Sequence, residues 1–274
     1  MTANNPTPIV LTIAGSDSGG GAGIQADIKA ISATGSYACS VITALTAQNT
    51  QGVNGIFPVT AGFVEAQLDS VFTDLNIVAV KVGMLSDANV INAVSAKLKQ
   101  YQPKFLLVDP VMVATSGDLL LQESAINTLK SKLLPLADII TPNLPEAAAL
   151  VGADTPKNEQ KMTALVEQLR TLETGSILLK GGHLEQESNS TDLFIRCDTV
   201  THYSSPRINT KNTHGTGCTL SSAITSYFAQ GHSLEQAISL GKTYITNAIS
   251  HADKLDIGKG HGPVHHFYAS ITDA

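Results

Sequence analysis

The feature that most narrows what this chain can become is a recurring pair of segments. A short apolar run is followed at once by small or polar residues, and then by a stretch with helical period. The runs are PIVLTIA (8–14), NIVAVKV (76–82), KFLLVDP (104–110), ADIITPN (137–143) and SILLKGG (176–182). Each is dominated by apolar residues and carries β-branched ones, as a strand buried on both faces does. Helical spacing falls at 22–34, 60–74, 86–99, 121–134, 157–173, 217–229 and 233–250. Strand–helix alternation of this kind predicts an α/β fold, with a mostly parallel, doubly wound sheet between two helical layers. Residues 189–207 have strand character and read as an antiparallel hairpin added to one edge. No linker-like shift in composition breaks the chain, so the expectation is one domain over 7–268 with flexible termini at 1–6 and 269–274.

That layout places the chemistry. In open parallel sheets a ligand binds beyond the carboxyl ends of the strands. The residues just after the runs are Gly15–Asp17, Gly83-Met84, Asp109-Pro110, Thr141–Asn143 and Lys180–Gly182, and they should meet along one edge.

Composition then excludes several partners. The formal net charge of −6 argues against nucleic acid and anionic membranes. It leaves phosphate ligands open, because backbone N–H groups can hold them. MTANNPTP has neither a basic nor an apolar leader pattern, and no run approaches the ~18 apolar residues of a membrane span. Cys39, Cys197 and Cys218 are odd in number and form no CxxC pair. A reducing cytoplasm fits them best, and the Asn189-Ser190-Thr191 sequon is expected to be idle.

Two glycine-rich turns stand out. AGSDSGGGAGIQADI (14–28) follows a strand and opens a helix. It is neither a Walker A sequence nor Gly-x-Gly-x-x-Gly, which disfavours a nicotinamide-dependent dehydrogenase. Asp27 lies one turn inside that helix and reads equally as a functional acid or as a solvated first-turn carboxylate. THGTGCTLSSAI (213–224) puts Gly215, Thr216, Gly217 and Cys218 at a helix start, where unpaired N–H groups form an anion cradle.

The remaining candidates are Asp109, Asn143, Glu146 and Lys180. Asn143 and Glu146 are three apart at a helix start, so they share a face, and Glu146 serves equally well as a helix-start carboxylate. Oxygen ligands with few fixed protein contacts suit Mg²⁺. Lys180 at a strand end suits a nucleotide phosphate, or is a surface lysine. Gln48, in TALTAQNTQGV (43–53), reads as an amide just past a strand, able both to donate and to accept. The histidines His183, His214, His261, His265 and His266 lack HExxH spacing and do not read as a metal site, and GKGHGPVHH (258–266) reads as a loop packing back on the domain near the nucleotide.

Together AGSDSGGGAGIQADIKA, TALTAQNTQGV, VKVGML, VDPVMVATSG, TPNLPEA, LLKGGH, HGTGCTLSSAI and GHGPVHH resemble the hydroxymethylpyrimidine/phosphomethylpyrimidine kinases of thiamin synthesis, over about residues 8–268. The resemblance implies a ribokinase-like three-layer α/β/α fold, ATP as cosubstrate, Mg²⁺ as cofactor and a homodimer. It implies pyrimidine contacts from Gln48, with Gly15, Asp27, Met84, Val111 and Cys218 around the ring. It places Asp109, Asn143, Glu146 and Lys180 at the nucleotide, with Asp109 and Glu146 toward the metal. Gly215–Cys218 becomes the anion hole and Ala114–Asp118 part of a flap. Pyridoxal kinases form a similar branch, and a non-catalytic vitamin-binding regulator is a more distant alternative.

One residue poses a question of its own. Phosphoryl-transfer sites often set a carboxylate beside the attacking hydroxyl, whereas here a thiol stands at the tip of the cradle. An alcohol nucleophile gains from a base, while a phosphate nucleophile is already ionised and would be repelled by a fixed carboxylate. Cys218 is expected to be small and neutral, and to ionise at the helix N-terminus when the alcohol is bound.

Overall fold

The computed structural model describes residues 6–112, 123–184 and 187–270. The strands are β1 (Ile9–Asp17), β2 (Tyr37–Asn49), β3 (Gly52–Pro58), β4 (Ile77–Val82), β5 (Leu106–Val108), β6 (Ile139–Ile140), β7 (Ile177–Leu179), β8 (Asn189–Arg196) and β9 (Thr199–Pro206). They form one sheet in the order β3-β2-β1-β4-β5-β6-β7-β8-β9. The pairs from β2 across to β7 are parallel, while β3 and the β8–β9 hairpin are antiparallel.

The predominance of apolar residues in these runs has a direct cause. Along β5, Leu106 and Val108 enter the core on one side of the sheet while Leu107 enters the core on the other. In β7, Ile177 and Leu179 face one core and Leu178 the other. Successive side chains of a strand point to opposite faces, and here both faces are covered, so polar alternation would bury unpaired groups.

The helices are α1 (Gly23–Ala33), α2 (Ala61–Asp74), α3 (Ala88–Tyr101), α4 (Glu123–Thr128), α5 (Leu144–Val151), α6 (Glu159–Ala164), α7 (Val166–Leu169), α8 (Thr216–Ala229) and α9 (Leu234–Ser250). Two expected helices are less regular than their spacing suggests. Within 121–134, α4 passes into a π turn at Leu129–Leu133 and a 3-10 turn at Leu134–Leu136, where Pro135 cannot continue an α-helical ladder. The 157–173 segment is two short helices, α6 and α7, meeting at Leu165.

The sheet also has a second antiparallel edge that the runs do not announce. Strand β2 is 13 residues long, and its buried residues, Val41, Thr43 and Ala44, all precede Leu45. Its second half leaves the core and pairs with β3, so Gln48 lies within a strand, opposite Val53, and not past one.

Candidate active site

Strand β1 is flanked by β2 on one side and β4 on the other, so the connections diverge at its carboxyl end. A cleft of about 1410 Å³ opens there. Gly15, Ser16 and Asp17 line it with Gln48, Met84, Asp109, Val111, Asn143, Glu146, Lys180, Gly182 and Gly215–Cys218. The convergence of strand ends expected from the sequence is thus present. The flap segment Ala114–Asp118 lies outside the described residues.

At the centre is the start of α8. Gly215 caps it with φ +80°, and a Cβ there would collide with the Gly21 carbonyl. The left-handed dihedral and the close approach both require glycine. The two glycine turns therefore touch, backbone to backbone. A helix start leaves its first-turn N–H groups, those of Gly217 and Cys218 among them, without intrahelical acceptors. Thr216 turns its hydroxyl back to the Thr213 carbonyl at 2.7 Å, which stiffens the turn.

Against this helix start sit an acid and a base. Lys180 Nζ is 2.8 Å from Asp109 Oδ1. A Cβ on Gly217 would lie 3.3 Å from that Nζ and 3.6 Å from Asp109 Oδ2, so the pair abuts the cradle directly. Thr141 Oγ1 donates to Asp109 Oδ1 at 3.0 Å and fixes the carboxylate. Burial disfavours the Lys180 ammonium, but Asp109 and Glu146 outweigh it and hold it protonated.

Asn143 and Glu146 form a reciprocal capping box on α5, with N–H to side-chain distances of 2.8 and 2.9 Å. The helix-cap role of Glu146 is therefore real, and it coexists with a place on the cleft wall. Burial pushes Glu146 up to about 7, with Lys180 opposing and Asp109 adding to the rise.

The substrate half is built around the end of β2. Gly15 makes room for Met84, since a Cβ there would come within 2.7 Å of Met84 Cε. Asp17, not singled out in the sequence beyond its place at a strand end, organises this half. Its carboxylate accepts N–H bonds from Gly19, Gly21 and Ala22 at 2.8–3.0 Å. It also contacts His214 Nε2 at 2.9 Å. Burial alone would raise the Asp17 pKa. The His214 hydrogen bond and the Ala22 and Gly19 N–H groups outweigh that and hold it below the usual range. His214 Nε2 is in turn 3.4 Å from the Gln48 amide. No local pattern foretells this cluster, because Asp17 and His214 are 197 residues apart.

One expectation is corrected. Asp27 does not reach the cleft, nor is it a solvated first-turn carboxylate. It is fully buried and ion-paired to Lys81, with Oδ–Nζ distances of 2.8 and 2.9 Å. Cys218 does line the cleft, but burial pushes its thiol up to about 11, against the partial relief offered by Lys81. With no alcohol bound it is a neutral thiol, so a thiolate would have to form on substrate binding.

Among the described residues no cluster of three or more His, Cys, Asp or Glu side chains forms a ready-made metal cage. Asp109 and Glu146 nevertheless fit a hard cation that takes most of its ligands from phosphate and water. Among the described residues no helix is long and apolar enough to cross a membrane.

The sheet, the strand-end cleft and the paired glycine turns fit a ribokinase-like small-molecule kinase, a phosphotransferase. A family profile described as phosphomethylpyrimidine kinase matches residues 17–265, and the chain belongs to that family. It is 49% identical to the hydroxymethylpyrimidine/phosphomethylpyrimidine kinase of Escherichia coli K12, over 94% of this chain and 97% of that one. A crystal structure of phosphomethylpyrimidine kinase from Clostridium difficile 630 superposes with a TM-score of 0.77 at 44% identity, covering 89% of this chain and all of that one. A Bacillus subtilis pyridoxal kinase in complex with ADP superposes with a TM-score of 0.89 at 32% identity, covering 97% and 100%.

Proposed function

We propose that the protein phosphorylates the hydroxymethyl oxygen of 4-amino-5-hydroxymethyl-2-methylpyrimidine and then converts the monophosphate to the diphosphate, a step of thiamin synthesis. The observation that carries this reading is the continuity of the cleft. A neutral amide, Gln48, the Gly215–Cys218 cradle and the Lys180–Asp109 pair all line it, with Gln48 beside His214 and the pair against Gly217. Gln48 offers a donor and an acceptor to a ring nitrogen and an exocyclic amine, a pairing that a sugar would leave mismatched.

Phosphoryl transfer depends on positioning and charge stabilisation more than on covalent chemistry. Lys180 and the cradle N–H groups offset the charge that builds on the transferred phosphoryl. Asp109 and Glu146 would hold Mg²⁺, which when bound neutralises phosphate charge. The neutral Cys218 thiol lets an anionic monophosphate approach for the second transfer without repulsion, which a carboxylate at that position would not.

The working unit in this reading is a cytoplasmic homodimer. Leu45 and Phe57 are cross-strand partners on β2 and β3 and are 47% and 70% exposed, an apolar pair that a second copy would cover. Light scattering gives the mass directly, and a monomer at working concentration would refute the dimer.

Product analysis tests the activity. Aminopyrimidine and ATP should give the monophosphate and then the diphosphate. Pyridoxal offered in parallel addresses the second reading, which the closer superposition on the pyridoxal kinase favours. Turnover of pyridoxal alone would replace the first reading with the second.

A further inference from the structure

Beneath the anion cradle, out of reach of any ligand in the cleft, lies a complete ionic cluster. Lys81 and Asp27 are both 0% exposed. Besides the two contacts from Lys81, Asp27 accepts from Thr12 Oγ1 at 2.6 Å and from Ser222 Oγ at 2.8 Å. Its donors come from β1, β4 and α8, while Asp27 itself belongs to α1. These are the elements that carry the two glycine turns and the strand between them.

Stability alone does not explain the cluster. Desolvating two charges costs about as much as their attraction returns, and apolar replacements of such pairs are often neutral or stabilising. The arrangement has a direction, however. Ser222 lies one turn beyond Cys218 on α8, so its bond to Asp27 sets the rotation of the helix that presents the cradle. The pair also presents unlike ends to the cradle. At Cys218 the influence of Lys81, which favours negative charge, exceeds that of Asp27, which opposes it. Lys81 likewise interacts with Asp109 across the same space.

We propose that Asp27 and Lys81 form a buried positioning pair that locks α8 through Ser222 and turns the positive end of its dipole toward the Gly215–Cys218 cradle. The catalytic consequence rests on the kinase reading; the field at Cys218 does not. A preorganised dipole of this kind stabilises charge as it develops on the transferred phosphoryl and requires no rearrangement during transfer.

The test replaces both members with apolar groups, Asp27→Leu with Lys81→Met, and follows three readouts: melting temperature, the kcat and KM of phosphorylation, and the alkylation rate of Cys218 by iodoacetamide, resolved by peptide mass spectrometry. The expected variant is folded, with KM within about 3-fold of the parent and kcat lower by about 10–100-fold. Cys218 should alkylate more slowly, because at the thiol the lost Lys81 charge outweighs the lost Asp27 charge. A folded double variant with an unchanged alkylation rate overturns the proposal, whatever its kinase activity. The alkylation comparison needs no substrate, so it stands even if the parent protein turns over neither vitamin precursor. Should the double variant not fold, Ser222→Ala removes the tether and keeps the pair. A kcat about 3–10-fold lower at constant KM supports the proposal, and an unchanged kcat overturns it.

Discussion

Asp109 and Lys180 meet at 2.8 Å although they follow strands β5 and β7, which are separated in the sheet by β6. The contact exists because both side chains lean over the short β6 toward the start of α8. Lys180→Met should therefore do two things. It should lower kcat by about 10²–10³-fold, as loss of a preorganised cation at a transferred phosphoryl does. It should also leave Asp109 and Glu146 facing each other without a counter-charge. Steady-state kinetics with ATP varied would show the loss mainly in kcat. A variant with parental kcat would remove Lys180 from the transfer step.

Glu146 makes a prediction about stability with a definite sign. Its folded value of about 7 lies above the ordinary 4.5. Between those limits the folded state holds more protons than the unfolded one, so this group makes stability fall as pH rises from about 4.5 to 7, and then level off. The full effect is at most ~3 kcal/mol. Glu146→Gln keeps the capping acceptor for the Asn143 N–H and abolishes the titration. It should melt higher than the parent at pH 8, match it more closely at pH 5, and bind nucleotide and Mg²⁺ less tightly. Thermal melts at the two pH values decide the point, and equal shifts at both would contradict it.

The thiol carries a second pH prediction. Burial raises Cys218 to about 11, so its alkylation should be slow at pH 7 and climb steadily with pH toward 11. If the first phosphorylation used a pre-formed thiolate, its rate would climb in parallel. The expected profile of that step between pH 7 and 9 has no such rise, and Cys218→Ala, which leaves the position small and neutral, should change the two steps by similar factors. Rapid-quench measurement of the two products separates the steps.

How much of this can be read from the chain follows from where each residue's partner lies. The strands β4 to β7 are legible because both faces are buried, which leaves short runs dominated by apolar residues and broken only at Lys81 in β4. The second half of β2 is not, because Leu45 and Gln48 stand at a half-exposed edge where no such run is required. Gly215–Cys218 is legible as a local turn-to-helix pattern. Asp27 is misread from sequence because its partner Lys81 is 54 residues away, and a lone acid in a small apolar helix carries no mark of whether it faces water or a buried ammonium. Asp17 and His214 escape for the same reason, being joined only by the contact of the two glycine turns.

That contact yields the last prediction. Asp17 accepts from three loop N–H groups and faces His214 Nε2, all through one carboxylate. Asp17→Asn keeps the shape but turns one oxygen into an NH₂ donor. With the remaining amide oxygen kept on the Gly19 N–H, the new NH₂ points at the Gly21 and Ala22 N–H groups and at His214. Donor would face donor, and the loop would have to move. Because His214 neighbours Gln48 and the nucleotide groups lie across the cleft, the loss should be confined to one substrate. KM for the pyrimidine should rise by about 10-fold or more, while KM for ATP should change by less than about 3-fold. The pH dependence follows from the depressed Asp17 value. The stability it supplies is present above the unfolded value of about 3.8 and is lost as pH falls through the folded one, so the variant should lack that part of the acid transition. Equal rises in both KM values would mean that the Asp17–His214 pair holds the whole cleft and not the pyrimidine end of it.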